Sequence, residues 1–457
     1  MTLRNKGETP AGRSSIALVA LFALALRIGL SIAIGFNPAF FDADAYHRLA
    51  MEGVAGRPVP TDGHPPGYSW LLMVIYRIAG PEPRVVYAIQ ISLSAAGVFL
   101  LGDAARRRFG TWAGLLTAAL LAVSGPLAIY PSLLLSENLC LLGVALIAWL
   151  LLPPFPEVGA PRLLACAAIL SVLALTRTGM ICLVVPLVTL PFLAPLHQKP
   201  ARNLALATLI LVIAAAPLLA YSLHRASRTG VFRVGSPADV YSFYLGNNPE
   251  ATGRAEPFKN VPRPGTVGAP DMEAVARILG PKARAYVLTH PFREGELFLR
   301  RASFNLAPNK KDLLYLYGNG WAGERTSRVV KAVYVWVAIS VPLLGAAVLL
   351  AVARNRRDGA LRFALLLTFC GILPYQFSIG DARYLIPFHS LLAFAAGALL
   401  APRAAGQWIA RTRMAVALLA LAFLGNAAYD VRATDPALRK VARPGGSRVA
   451  PSYDFAR

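Results

Sequence analysis

Two carboxylates and two imidazoles stand close together early in the chain. Asp42, Asp44 and His47 lie within "FFDADAYHRLA", and His64 follows in "GHPPGYSW". A carboxylate can take a proton from a hydroxyl as general base. Two carboxylates spaced Asp-x-Asp can also offer oxygen ligands to Mg²⁺ or Mn²⁺. Further ionisable groups recur at the edges of apolar runs: Glu137 in "LLLSENLCLL", Arg177 in "LALTRTGM", and Asp381, Arg383 and Tyr384 in "SIGDARYLIPF". Asn247 and Asn248 open "NNPEATG", and Lys310 and Lys311 lie in a polar stretch beyond it. Guanidinium and ammonium groups suit a phosphate, by charge-assisted hydrogen bonds.

The elements that must position these groups are membrane helices. Of 457 residues, 56% are hydrophobic and 15% charged. Apolar runs of about twenty residues recur, the length that spans a hydrocarbon core. The composition predicts an all-α polytopic membrane protein with about eleven spans. They fall near 14–35, 85–104, 112–130, 133–152, 162–176, 179–195, 203–222, 329–353, 361–379, 384–401 and 413–430. The stretch 66–79 is too short to cross and reads as an interfacial helix, with Tyr68, Trp70 and Tyr76 suited to the headgroup zone. The first apolar run reads as a retained anchor rather than a signal peptide.

The net charge of +23 sits mostly between the apolar runs, which argues against nucleic acid and for contact with membrane lipid. The four cysteines lie inside apolar runs without metal-ligand spacing, so neither disulfides nor zinc are expected. Lys and Arg are concentrated in one set of short loops, at Arg106–Arg108, Lys199, Arg202, Arg354, Arg356, Arg357 and Arg403. Such loops face the cytoplasm. Asp42, Asp44, His64, Glu137, Arg177, Asp381 and Arg383 then share the outer side. The chain divides into an N-terminal membrane module, 1–222, with a first outer loop at 36–84. A small outer domain follows at 223–328, with 16 Lys and Arg against 9 Asp and Glu, and then a C-terminal membrane module and tail, 329–457.

Each polar residue has a plain structural explanation, such as a helix cap at Asp44 or an ion pair between Glu137 and Arg177 or Arg383. Together on one membrane side, ionisable groups in or beside spans mark a functional site.

In order and in side, these motifs resemble those of the GT-C superfamily of polytopic glycosyltransferases. The branch is that of the bacterial protein O-mannosyltransferases and the lipid A aminoarabinose transferase. Asp42, Tyr46 and Ala50 match the branch's spacing in its first outer loop. "GHPPGYSWLL", "YPSLLLSENL", "LGNNPEATG" and "RYLIPF" resemble its later elements. Position 43 departs, with Ala where many relatives have Glu, which shifts the second acid to Asp44.

The resemblance implies a GT-C fold and the inverting transfer of one sugar from a polyprenyl-phosphate donor. The acceptor would be a glycolipid, polysaccharide or protein on the periplasmic face of a bacterial inner membrane. It suggests Asp42 as base, with Asp44 and Glu137 beside it in the catalytic set. Arg383, Arg177, Lys310 and Lys311 would bind the donor phosphate. His64, Tyr46, Tyr384, Asn247, Asn248 and Asp381 would bind substrate. No cofactor is expected to be required, with Mg²⁺ or Mn²⁺ at Asp42 and Asp44 the metal alternative. A polysaccharide ligase or polymerase using a diphosphate-linked lipid donor is the nearer alternative. A secondary transporter is the remoter one, because its ionisable groups would sit at mid-membrane on broken helices.

The topology is directly testable. An impermeant maleimide applied from outside should label Gly265→Cys and leave Arg107→Cys unlabelled in intact cells. Labelling of both from the cytoplasmic side would overturn the orientation.

Overall fold

The structure is a computed structural model that describes residues 10–34, 41–57, 63–153, 155, 157–193, 200–254, 272–306, 327–355 and 357–400. Lys310, Lys311 and the expected span at 413–430 lie outside the described residues. Within them the secondary structure is helical, with no strand and a single isolated bridge between Arg254 and Gly380.

The N-terminal module runs α1 (Pro10–Ile34), α2 (Phe41–Val54), α3 (Pro66–Ala79), α4 (Pro83–Phe109), α5 (Thr111–Val123), α6 (Gly125–Ile129), α7 (Glu137–Leu151), α8 (Ala160–Thr176), α9 (Val184–Leu193) and α10 (Pro200–Thr229). Next come α11 (Pro237–Gly246), α12 (Met272–Thr289) and α13 (Pro291–Leu306). Then come α14 (Ser327–Asn355), α15 (Gly359–Gln376), a 3₁₀ turn at Ala382–Phe388 and α16 (His389–Gly397).

Among the described residues, five helices are long and apolar enough to cross a bilayer, or six if the α5–α6 pair, bent by 65°, is one span. The chain is a multi-pass membrane protein. Three further expected spans are shorter apolar helices, Glu137–Leu151, Ala160–Thr176 and Thr178–Leu193. The shortening has a physical pattern. Helix α7 begins at Glu137, α8 ends one residue before Arg177, and the 3₁₀ turn at Ala382–Phe388 begins just after Asp381. Each helix is broken where an ionisable residue stands. In a membrane protein, freed backbone groups are tolerated only where protein groups satisfy them.

The break between α5 and α6 shows how this is done. The last carbonyls of α5 accept from Arg27, whose Nη2 lies 3.1 Å from Leu121 O, and from Trp336, whose Nε1 lies 2.8 Å from Val123 O. Gly125 N donates to Ser340 Oγ at 2.9 Å. Arg27 is fully buried and also donates to Ala23 O and Ser94 Oγ. A cation here does the work of a helix C-cap.

Buried apolar residues form one large core along the membrane helices, joined by two smaller clusters that serve the site. The first packs Ala43, Tyr46 and Ala50 of α2 against Tyr68, Leu72 and Ile75 of α3. Helix α3 has the bounds expected for the interfacial segment, with Trp70 exposed on its outer side, edge-on to Tyr221. The second packs Tyr241 and Leu245 of α11 with Val275 and Leu279 of α12 against Ile379 and Tyr384. Helix α11 starts with a capping box, the Ser236 hydroxyl accepting from Asp239 N while the Asp239 carboxylate accepts from Ser236 N.

The end of α11 touches the loop after α15 with no room to spare. A Cβ on Gly246 would stand 1.6 Å from the carbonyl oxygen of Ser378. Gly246→Ala must push the 377–381 loop away, at a cost of about 1–3 kcal/mol in the range of overpacked cores. A lowered midpoint of thermal unfolding in detergent, against wild type, is the expected outcome. An unchanged midpoint would contradict this contact.

Candidate active site

Four charged side chains form a continuous chain. Arg383 Nη1 donates to Asp42 Oδ2 at 2.7 Å. Its Nε lies 3.0 Å from Glu137 Oε1. Arg177 Nη2 reaches the same oxygen at 2.9 Å. Two acids and two guanidiniums thus alternate as Asp42, Arg383, Glu137 and Arg177, although they come from α2, the 3₁₀ turn, α7 and the α8 terminus. The side chain of Glu137 is 1% exposed and that of Asp42 is 30% exposed. Glu137 is the sealed anchor, and Asp42 is the carboxylate that meets the surroundings.

Helix geometry separates the two early acids. Successive helical residues turn by about 100°, so Asp42 and Asp44 point to opposite sides of α2. Asp42 faces the bundle. Asp44 pairs outward with Arg48 at 3.0 Å, and both are exposed. As arranged, the two do not fit around one Mg²⁺ or Mn²⁺. Among the described residues no cluster of three or more His, Cys, Asp or Glu could hold a metal ion.

One turn after Asp42, Tyr46 lies under the site. Its ring is 4.9 Å from His64 and 4.9 Å edge-on from Tyr68. Burial pushes the Tyr46 phenol well up from its usual range, the charge of Asp42 adds to this, and a hydrogen bond to Ser136 partly opposes it. The hydroxyl stays protonated. His47 is turned away, its Nδ1 2.8 Å from the Tyr76 hydroxyl. Partial burial lowers its pKa and Asp44 opposes the shift, which leaves the ring largely neutral near pH 7.

Aromatic faces line the other end. Tyr375 and Tyr384 stack at 4.1 Å, and the Arg177 guanidinium lies 5.2 Å from the Tyr384 centroid and 5.9 Å from that of Tyr375. Arg383 is 5.9 Å from the Tyr384 ring. Among the described residues, Arg177 Nη1 is buried without a hydrogen-bond partner.

The backbone that carries Arg383 is fixed by Asn247, Gly253, Arg301 and Asn305. The Asp381 side chain accepts from Arg383 N at 3.1 Å and starts the 3₁₀ turn. Asp381 N donates to Asn305 Oδ1. Gly380 N donates to Gly253 O at 2.7 Å. Asn247 Nδ2 donates to Phe377 O at 2.8 Å, and its Oδ1 accepts from Arg301 Nη2 at 2.9 Å. Arg301 is fully buried and also binds Gln376 O, Gly246 O and Glu294. Asn248 is spent on Tyr244 O, Leu245 O and Glu250 N. The amides of Asn247 and Asn248 therefore hold backbone, and Asp381 holds the turn.

Sequence reasoning missed three positioning residues. Gln90 accepts from the Tyr68 hydroxyl at 2.6 Å and donates to Pro131 O and Leu133 O. Asn138 donates to Tyr130 O, Leu133 O and Leu135 O. Both clamp the turn that presents Ser136 and Glu137. A polar side chain inside an apolar run was the available signal for these two. Arg301, in a stretch rich in Arg, had none.

Residues 63–221 match the family model described as dolichyl-phosphate-mannose-protein mannosyltransferase. The matched stretch contains His64, Glu137 and Arg177, while Asp42 and Arg383 lie outside it. No curated protein sequence matches the chain. Among solved structures it is similar to ArnT from Cupriavidus metallidurans bound to undecaprenyl phosphate, with 16% identity and a TM-score of 0.38. That similarity covers 83% of this chain and 77% of the other. It is also similar to the Archaeoglobus fulgidus oligosaccharyltransferase in complex with Zn and sulfate, with 13% identity and a TM-score of 0.44, covering 94% of this chain. The chain spans about half, 53%, of that protein's length. The motif order resembles that of the GT-C proteins, and the family match over residues 63–221 indicates a glycosyltransferase.

Glu137 should matter for folding whatever the chemistry. Glu137→Gln leaves two buried guanidiniums without their shared charge, and breaking a buried pair in this way costs about 3–5 kcal/mol. Thermal unfolding in nanodiscs should show a large loss for Glu137→Gln and a smaller one for Glu137→Asp. Equal stability of Glu137→Gln and wild type would contradict the buried ionic chain.

Proposed function

We propose that this protein transfers one sugar from a polyprenyl-phosphate donor to an acceptor hydroxyl, at the outer face of a bacterial inner membrane. The observation that carries the reading is the placement of Asp42. It is a partly exposed carboxylate held at 2.7 Å by Arg383, which is itself fixed to buried Glu137. A base must reach solvent-borne substrate yet keep a fixed direction, and this arrangement meets both needs.

In this reading Asp42 takes the proton from the acceptor hydroxyl. The oxygen attacks the anomeric carbon from the side opposite the phosphate, and the bond from that carbon to the phosphate oxygen breaks. The configuration inverts, the proton rests on Asp42, and the polyprenyl phosphate leaves with the bond's electrons. Arg383 and Arg177 offset the charge that grows on the departing phosphate. The unpartnered Nη1 of Arg177 supports this role. Lys310 and Lys311 are further candidates for the phosphate. Tyr46, with His64 against its ring, and Tyr384 would contact sugar or acceptor. Glu137 orients the two guanidiniums. The acceptor is a glycolipid, a polysaccharide or a protein, any of which offers the hydroxyl this chemistry needs.

Asp42→Asn keeps the shape and removes the proton acceptor, so transfer should fall by about 10²-fold or more. Asp44→Asn, on the far side of α2, should cost much less. The measurement is single-sugar transfer from a polyprenyl-phosphate donor in detergent, with and without EDTA. Near-normal turnover by a folded Asp42→Asn enzyme would remove Asp42 from the role. Loss with EDTA and rescue by Mn²⁺ or Mg²⁺ would overturn the metal-free scheme.

A further inference from the structure

Helix α12 has two apolar faces, and among the described residues only one of them is packed over. The inner face, with Met272, Val275 and Leu279, is buried against α11. The outer face carries Ala274, Ile278, Pro281, Ala285 and Leu288, all exposed. Their spacing of i, i+4, i+7, i+11 and i+14 draws a single straight stripe along the helix. Ile278 is 60% exposed and Leu288 81%. Phe292, just beyond the helix end, is 94% exposed. Water gains nothing from such a stripe, and a lone exposed Leu would need no explanation where a continuous row does.

Charge borders the stripe on both sides. Arg277 and Arg284 lie along one edge and Lys282 along the other, all exposed. The only acid on the helix, Glu273, is buried and engaged by Arg225 and Arg233. The outer face of α12 is therefore apolar along its centre, cationic along its margins and free of carboxylates.

The height of this face relative to the bilayer is fixed by a contact. Helix α10 has 30 residues, about 45 Å at 1.5 Å per residue, so it outruns a hydrocarbon core of about 30 Å. Its apolar part ends near residue 222, and its last residue, Thr229, falls about 10 Å further on, within the headgroup layer. Arg277 Nη2 donates to Thr229 O at 2.7 Å. The middle of α12 is thereby tied to the headgroup level. The short loop after α10 supports the same placement. Arg233 turns inward to Glu273, while its neighbours Phe232 and Val234 are 55% and 54% exposed.

We infer that α12 is a membrane-docking helix, which lays the Ala274–Leu288 stripe and Phe292 on the leaflet where α10 ends and sets its basic margins on anionic lipid headgroups. An amphipathic helix with apolar residues along one face and Lys or Arg beside them binds at this boundary, and its basic residues confer a preference for anionic lipid. The inference goes beyond sugar transfer and holds whichever donor the site takes.

The test uses the full chain with Cys182→Ser, because the other three cysteines are buried. Nitroxide labels at Ile278→Cys, Ala285→Cys and Leu288→Cys are read by power saturation in nanodiscs of phosphatidylcholine with phosphatidylglycerol. Oxygen, which partitions into lipid, should relax all three labels more than a water-soluble nickel chelate does. The oxygen preference should shrink in pure phosphatidylcholine, and it should shrink equally in Lys282→Gln/Arg284→Gln with anionic lipid present. Nickel preference at all three positions would show a water-facing helix and overturn the proposal. Labels shielded from both reagents would show a protein cover, whether a second copy or another segment of this chain, and would overturn it as well. An oxygen preference indifferent to lipid charge would refute the headgroup pairing.

Discussion

The arrangement of the site depends on a guanidinium shared between two carboxylates. Arg383 cannot be left alone at a membrane edge, and neither can Glu137 at 1% exposure. A buried charge without a partner costs several kcal/mol. Placing Arg383 between Asp42 and Glu137, with Arg177 on the far side of Glu137, neutralises all four groups in one stroke. The same contacts tie together α2, α7, the end of α8 and the turn before α16. The ionic chain is thus a structural joint with one end buried at Glu137 and the other partly exposed at Asp42.

The cost of that joint is broken helices. Spans that would run on as regular α-helix are interrupted at Glu137, Arg177 and Asp381, and each interruption frees backbone groups. Side chains then take over. Asn138 and Gln90 clamp the turn before α7, and Asp381 caps the turn that holds Arg383. Arg301 gathers the carbonyls of Gly246 and Gln376, and with Asn247 it braces the loop from behind. The end of α11 and α13 therefore act on the site at a distance, by fixing the loop that leads to Arg383. The same segment carries the exposed stripe of α12, which on our inference rests on the bilayer.

Composition and hydropathy were enough to establish an all-helical, multi-pass membrane protein, because burying helices in lipid requires long apolar runs that leave no alternative reading. The interfacial helix α3 was legible to the residue, since Pro66 at its start and Gly80 after Ala79 mark its ends locally. The charged residues were legible as a set for a similar reason: an ionisable group in an apolar run is costly enough to stand out. What the sequence left open was who pairs with whom. Asp42 and Asp44 look alike two positions apart, and only the direction of α2 separates a bundle-facing acid from one spent on Arg48. Asn247 and Asn248 read as ligand-binding amides, yet their hydrogen bonds go to backbone and, from Asn247, to Arg301. Arg301 and the clamping role of Gln90 arise from contacts across 55 and 43 residues of chain. Local chemistry determined which residues could not be idle. Long-range packing, which alone can bring partners from distant helices within 3 Å, decided what each of them does.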